Sequence, residues 1–356
     1  MKQFKVTPRL RTLILVAMTM LMVTLPALAS TQNENGSSGY EWLIGLGSLF
    51  GVGLVVNAST LVGLQKNFRA IFQEAYDAIE PQWPQVCMET QSEGADENYQ
   101  WLGEVPGMRE WLGDKEIKGL AGVNYILQNK DWESTIEVKR KDIEDDRLGI
   151  YKPKIISLAE EGRRHPDELL TSVRVAGTST TCYDGKNFYA TNHVMRKSGS
   201  LSNLHTGTGI TLAQVTADLK TARAKMRNLK NDQGKPFIKS LGKLKLLVTA
   251  PPDLEGVFEE LSNATTISNT TNVLKGAFDY NINPYLTDAN DWYLDFVGSA
   301  IRPFVFQTRK KPIFVAMEDP NNSDTVFKKG SFLYSVEARY NCGYGMWQFS
   351  HKISNS

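Results

Sequence analysis

Cysteine is scarce in this chain of 356 residues: Cys87, Cys182 and Cys342 stand far apart and are odd in number. No CxxC pair and no Cys/His spacing of a structural zinc site occurs, so neither a disulfide framework nor a zinc module is indicated. Net charge is equally scarce. Forty basic residues face 39 acidic ones, a balance of +1, and the clustered basic excess of a sequence-specific DNA binder is missing. There is no internal repeat. Gly207-Thr208-Gly209 lacks the Lys-Ser/Thr that completes a phosphate loop, which leaves it a flexible connection. What remains is length enough for one large domain or two ordinary ones, rich in Gly, Asn and Thr, as suits a loop-rich chain of mixed α and β structure.

The N-terminus reads differently from the rest. Lys2, Lys5, Arg9 and Arg11 precede an apolar run, Leu13–Leu25, and Ala27-Leu28-Ala29 supplies the small-x-small pattern of a signal-peptidase site. Ser30–Gly39 resembles a flexible linker. The second apolar run, Trp42–Val56, is short for a spanning helix, which needs about 20 residues. At face value these segments describe an exported or membrane-anchored surface protein. Against that, the chain reads as complete from Asn57 onward. No Met lies between Met22 and Met88, but Leu54, Val55 and Val56 are compatible with alternative bacterial start codons. Residues 1–54 are therefore taken as an extension outside the functional subunit.

Periodicity organises the chain beyond Asn57. Ser59–Ile79 carries Leu61, Leu64, Phe68, Ile71, Phe72, Ala75 and Ile79 on one helical face. Gly122–Leu127 and Trp132–Lys139 alternate around a polar turn, Gln128–Asp131, and together predict a long β-hairpin. Such a hairpin buries too little of its own apolar face and calls for another surface to lie on. Leu148–Arg164 reads as a helix, broken and restarted at His165-Pro166, and Thr211–Leu229 as a capped helix. Leu244–Thr249 reads as a buried strand. The tail reads as strands Ile301–Thr308, Ile313–Met317, Phe332–Tyr340 and Gly343–Phe349.

Chemistry is thin. Cys182 and His193 form a possible thiol–imidazole pair, but no third partner is evident, so a loop cysteine and a loop histidine are the better reading. Asp142, Glu144, Asp145 and Asp146 are oxygen donors for a hard cation, or, beside Lys139, Arg140 and Lys141, a charge-alternating patch that faces another chain. The patch is preferred, with each exposed pair worth about 0–1 kcal/mol and its value lying in register. Trp101, Trp111 and Trp132 cluster in one extended region, and aromatics are enriched at the centres of interfaces. The candidate interface set is Trp101, Trp111, Trp132, Arg140, Asp145, Asp146 and Arg147. No catalytic constellation, metal site or cofactor motif survives, and the reading is of a structural protein rather than an enzyme.

A set of short motifs spread over residues 55–351 carries a family resemblance. They include Trp101-Leu102-Gly103, Arg109-Glu110-Trp111-Leu112-Gly113, Asp145-Asp146-Arg147-Leu148-Gly149-Ile150-Tyr151 and Cys182-Tyr183-Asp184-Gly185-Lys186-Asn187-Phe188 with His193. Leu247-Val248-Thr249-Ala250-Pro251-Pro252, Phe306-Gln307-Thr308-Arg309-Lys310-Lys311-Pro312 and Glu337–Gln348 continue the series. In order and spacing the chain resembles the major head subunit of Mu-like bacteriophages. Two departures stand out: residues 1–54 are unmatched, and Val194 follows His193 where the family usually has Pro. The resemblance implies an α+β chain with the tailed-phage capsid fold of the Hong Kong 97 type. The implied parts are an N-terminal arm (55–98), an extended β-hairpin loop (99–146), a peripheral domain with a spine helix (147–209), a mainly axial domain (210–300) and strands returning to the peripheral domain (301–356). It also implies self-assembly into pentamers and hexamers of an icosahedral shell, built in the bacterial cytoplasm and resident in the virion. Scaffold, protease and portal proteins are implied partners, with packaged DNA held without sequence-specific binding. On this reading, deleting Gly122–Val138 leaves a folded subunit that cannot close shells.

Overall fold

The computed structural model describes residues 58–102, 124–145, 148–195, 197–267, 269–317 and 328–355. The signal-like residues 1–54 lie outside that set. No helix among the described residues is long and apolar enough to cross a membrane.

Helix α1 (Ala58–Asp77) forms where the 3.6-residue apolar period predicts it, and its buried face is Leu61, Leu64, Phe68 and Phe72. That face is covered by the same chain: Phe68 meets Tyr334 edge-on at 5.0 Å and Phe72 lies 5.3 Å from Phe314. Helix α2 (Trp83–Val86) comes next, with Pro84 in its first turn. The strands then run β1 (Cys87–Gln91), β2 (Asp96–Asn98), β3 (Ile126–Gln128) and β4 (Lys130–Lys139), leading into α3 (Arg140–Glu144) and α4 (Lys152–Ala176). Next come β5 (His193–Met195), β6 (Gly199–Leu201), β7 (Leu204–Thr206), α5 (Leu212–Asn228), β8 (Leu246–Ala250) and α6 (Glu255–Asn263). The short β9 (Thr266–Ile267) and β10 (Thr270–Thr271) precede β11 (Asp279–Ile282), β12 (Trp292–Phe296), β13 (Phe304–Met317), β14 (Ser331–Tyr344) and β15 (Ser350–Ser354).

Two sheets carry the molecule. The first has the order β1-β13-β14-β4, with β1 parallel to β13 and the other pairs antiparallel; the second has the order β11-β8-β12-β15-β7. Strands β8 and β12 are buried along their whole length, and their alternation splits two cores between their faces. Leu246, Val248, Trp292 and Leu294 pack with Val215, Leu219 and Phe258 of α5 and α6. Leu247 and Tyr293 point the other way, toward Leu169, Leu170 and Phe304. Helix α5 begins at a capping box in which Thr211 and Gln214 satisfy each other's exposed amides.

Three expectations change. The segments around 122–127 and 132–139 are strands, but not partners of each other. Strand β3 pairs with β2, and β4 pairs with β14 over ten registered positions, from Lys139↔Ser331 to Lys130↔Tyr340. Alternation specifies a face, not a partner, and the long β14 offers β4 a ladder that a local hairpin cannot match. Asn129 is the pivot between the two pairings. Its amide donates to the Ala95 carbonyl at 2.8 Å. Its Nδ2 donates to Ser92 Oγ and the Gly94 carbonyl at 2.8 and 2.9 Å. Strand β4 also buries Val138, so deleting Gly122–Val138 would remove part of the core.

The helix breaker at Pro166 does not break the helix. Helix α4 runs 25 residues straight past it. Proline there removes one backbone hydrogen bond and crowds the Gly162 carbonyl, a cost of about 3 kcal/mol. Burial of Ile155, Leu158, Ala159, Leu169 and Leu170 on the sheet offsets it. Gly162 also lets Val336 come close, since a Cβ at that position would meet Val336 Cγ2 at 3.1 Å. In the tail, the two short strands expected over 301–317 are one strand, β13, with its register shifting between Thr308 and Ile313. The final strand, β15, crosses to the second sheet between β12 and β7.

Candidate assembly surface

Strand β4 is the outer strand of the first sheet, and among the described residues its only ladder partner is β14. Its side chains are mostly exposed or half-buried until Val138. An open edge of this length is a template for another chain. Between the edge and α4 lies a cleft of about 110 Å³, lined by Trp132, Gly162, His165, Val336, Ala338 and Tyr340. At the adjoining β2–β3 ladder the two described stretches that flank residues 103–123 run side by side. The Tyr99 amide donates to the Tyr125 carbonyl at 2.8 Å, and Asn98 Nδ2 donates to Asn124 Oδ1 at 2.8 Å. Tyr99 and Leu102 are both buried, so the stretch that ends at Leu102 is anchored in the core.

The seven residues singled out in the sequence fall into three groups. Trp132 is half-buried against its own chain: its Nε1–H donates to the Tyr340 carbonyl at 3.0 Å, and its ring lies 4.3 Å from that of His165. Arg140 and Asp145 are exposed around α3, and Arg140 pairs with Glu144 one turn away at 3.0 Å. Trp111, Asp146, Arg147 and the side chain of Trp101 lie outside the described residues. Within the acidic run, Asp142 and Glu144 each have a partner in their own chain. Asp142 is buried and accepts from the Tyr151 hydroxyl at 2.5 Å, while Glu144 faces Arg140.

Sequence reasoning missed two buried polar groups. Arg174 donates through Nη2 to Asp295 Oδ2 at 2.8 Å, with both side chains almost fully buried, which ties α4 to β12. The guanidinium also sits 5.0 Å from the Tyr293 ring and 4.9 Å from the Phe304 ring. A signal was available, because Arg174 stands one turn beyond Leu170 on the buried stripe of α4. The second group is a histidine pair. Lys225 Nζ donates to His205 Nδ1 at 3.2 Å, and His205 Nε2–H then donates to His351 Nδ1 at 2.8 Å.

Burial, and then the Lys225 ammonium, push His205 down to about 4, and burial pushes His351 down as well. The unfolded chain holds these protons near the ordinary value of 6.5 and therefore binds more of them than the folded chain in the window below it. Stability is complete above that value and is lost as pH falls toward about 4. The melting temperature is expected to fall across this window, with a shallower slope in His205→Gln. Calorimetry at a series of pH values checks it, and a flat profile would contradict it.

The loop at Gly207-Thr208-Gly209 is not an anion site. Asp218 already occupies its donors, accepting from the Thr208 amide at 2.7 Å and from its hydroxyl at 3.0 Å. Cys182 and His193 do acquire a third partner, Asp184, whose Oδ2 lies 2.6 Å from His193 Nδ1. Burial, and the Asp184 charge after it, push the Cys182 thiol well up, which keeps it protonated in the ion-free fold and argues against a nucleophilic role.

Comparison with known proteins converges on one group. The family model described as Mu-like prophage major head subunit gpT matches residues 61–215 and 287–356. The Mu-like prophage FluMu major head subunit of Haemophilus influenzae is 28% identical over 292 residues, covering 82% of this chain and 71% of the relative. The major capsid protein of Escherichia phage Mu is 24% identical over 297 residues, 83% of this chain and 74% of the relative. Among solved structures, a chain of the bacteriophage JBD30 procapsid superposes with TM-score 0.52 and 26% identity over 85% of this chain and 77% of that one. A virus-like particle from Pyrococcus furiosus gives TM-score 0.50 at 10% identity over 81% of this chain and 98% of that one, a likeness of fold alone.

Proposed function

The chain belongs to the Mu-like prophage major head subunit family, and from that premise we propose how this major capsid protein builds its shell. It is a structural component of the virion with the α+β tailed-phage capsid fold, and its family is one of shell proteins rather than enzymes. The first sheet with α4 is assigned as the peripheral domain and α4 as its spine helix. The second sheet with α5 and α6 is assigned as the axial domain, extended by β7 and β15. Residues 103–123, bounded by the β2–β3 ladder, are assigned as the extended loop that reaches a neighbouring subunit.

One observation carries this reading: among the described residues the ten-residue strand β4 has no ladder partner on its outer side, and it lies beside the paired ends that flank residues 103–123. A segment anchored there in one subunit and an edge left open in the next are complementary needs. Trp101, Trp111, the exposed part of Trp132 and the charges Arg140, Asp145, Asp146 and Arg147 are the proposed contacts. The charged ones set register more than affinity. A net charge of +1 suits a wall that surrounds DNA without binding it tightly or by sequence. Scaffold, protease and portal proteins are the proposed assembly partners, and pentamers and hexamers the proposed intermediates. Electron microscopy of the purified full chain is expected to show closed shells. Monomers or irregular aggregates under every condition that keeps the chain folded would refute the proposal.

A further inference from the structure

The connection from α4 to β5 closes a tight turn at Cys182–Gly185. The Gly185 amide donates to the Cys182 carbonyl at 3.1 Å, and the Cys182 amide to the Lys186 carbonyl at 2.7 Å. Gly185 takes φ +76°, where a side chain would be strained. This turn aims Cys182 Sγ and the Asp184 carboxylate at one point, and His193 from β5 arrives at the same place. The thiol donates to Asp184 Oδ1 at 3.2 Å, and the sulfur, a carboxylate oxygen and an imidazole nitrogen all lie within 4.8 Å of one another. A tetrahedral zinc ion with bonds of about 2.0–2.3 Å spaces its ligand atoms by about 3.3–3.6 Å. Shifts on the order of 1 Å would bring the three onto one ion.

Three features set this cluster apart from a chance meeting of polar groups. Asn203 fixes the histidine. Its Nδ2 donates to the carbonyls of Phe188 and Ser350 at 2.8 and 3.0 Å, so its Oδ1 is the acceptor that lies 3.2 Å from His193 Nε2. An Nε2–H held by Asn203 is the usual support of a metal-bound histidine, and Nδ1 faces Asp184 Oδ2 at 2.6 Å, so an ion bound there would take the place of the proton those two atoms share. Trp347 holds the ring in place, stacked at 3.9 Å and 7°. Finally, a divalent cation that displaces the thiol proton meets one thiolate and one carboxylate, so the loaded site is neutral. The Asp184 side chain is 19% exposed, which leaves a solvent path and a fourth position for water.

We propose that Cys182, Asp184 and His193 bind one divalent cation of borderline softness, zinc(II) by preference, which clips the Cys182–Gly185 turn to the start of β5. The sulfur and nitrogen donors argue against calcium or magnesium. The sequence hid the site because Cys182-x-Asp184 with a distant His193 matches no common zinc spacing.

Cobalt(II) titration of the purified full chain tests the proposal. One equivalent is expected to give the intense visible bands of a tetrahedral ion and a thiolate charge-transfer band, both removed by one equivalent of zinc(II). Cys182→Ala should lose the charge-transfer band, Asp184→Asn should weaken binding by about tenfold or more, and Cys87→Ala should change nothing. Faint octahedral bands alone, or a charge-transfer band that survives Cys182→Ala, would overturn it. Asp184 lies on the exposed side of its loop, so Asp184→Asn keeps the test open should the alanine variant misfold. Zinc should raise the melting temperature of the parent chain and not of Asp184→Asn, and equal shifts in both would also overturn the proposal.

Discussion

Replacing residues 103–123 with a short glycine–serine linker is expected to yield a folded subunit that closes no shells. The ends to be joined are already side by side, held by the Asp96↔Gln128 to Asn98↔Ile126 ladder and the Tyr99–Tyr125 backbone bond. Tyr99 and Leu102 on one side and Leu127 on the other are buried in the core around α5 and α6, which stays intact. Closing a short loop between fixed ends costs little, because loop entropy grows only about 0.6 kcal/mol per doubling of length. The melting temperature should therefore stay near that of the parent. Assembly, by contrast, should be lost outright, since each subunit gives up the segment proposed to reach its neighbour. Sedimentation and electron microscopy decide. Closed particles from the excised chain would remove residues 103–123 from the assembly mechanism, and an unfolded product would show that they belong to the core.

Arg174→Met is expected to be among the most destabilising single changes in the described structure. It strands the Asp295 carboxylate, which is fully buried, and breaking one partner of such a pair costs about 3–5 kcal/mol. Asp295→Leu should cost a similar amount by stranding the guanidinium. The pair is not perfectly satisfied even when whole, because Arg174 Nη1 and Asp295 Oδ1 have no hydrogen-bond partner among the described residues. The double variant Arg174→Met/Asp295→Leu should therefore recover much of the loss, since it leaves neither charge behind. Calorimetry of the two singles and the double closes the cycle. If either single variant melts with the parent, the pair does not hold α4 to β12.

The elements with one strong local signal were legible in the chain. The stripe from Leu61 to Phe72 predicted α1, and Thr211 as a cap marked the start of α5. Leu244–Thr249 was read as a buried strand and is β8. The misreadings concern long-range context. The alternation of Trp132–Lys139 was right, yet its mate is β14, some 200 residues away, and not the segment just before it. Pro166 carried its usual local penalty, and only the sheet beneath α4 offsets it. Of the candidate contacts, Trp132 proved half-buried in its own fold, where Tyr340 and His165 meet it from two other elements.

The same division runs through the chemistry. Cys182 and His193 were visible as residue types, but their relation was not, because Asp184 joins them only once the turn at Gly185 closes and β5 brings His193 alongside. By itself the sequence determined the class of the fold, the family and the near-neutral charge of a shell wall. Those properties are set by composition, by short motifs in a fixed order and by periods of two and 3.6 residues. The tertiary structure decided which strand pairs with which, that a proline is carried inside a helix, and which buried polar groups meet. Each of these depends on contacts between positions far apart in the chain, whose free energy no local window contains.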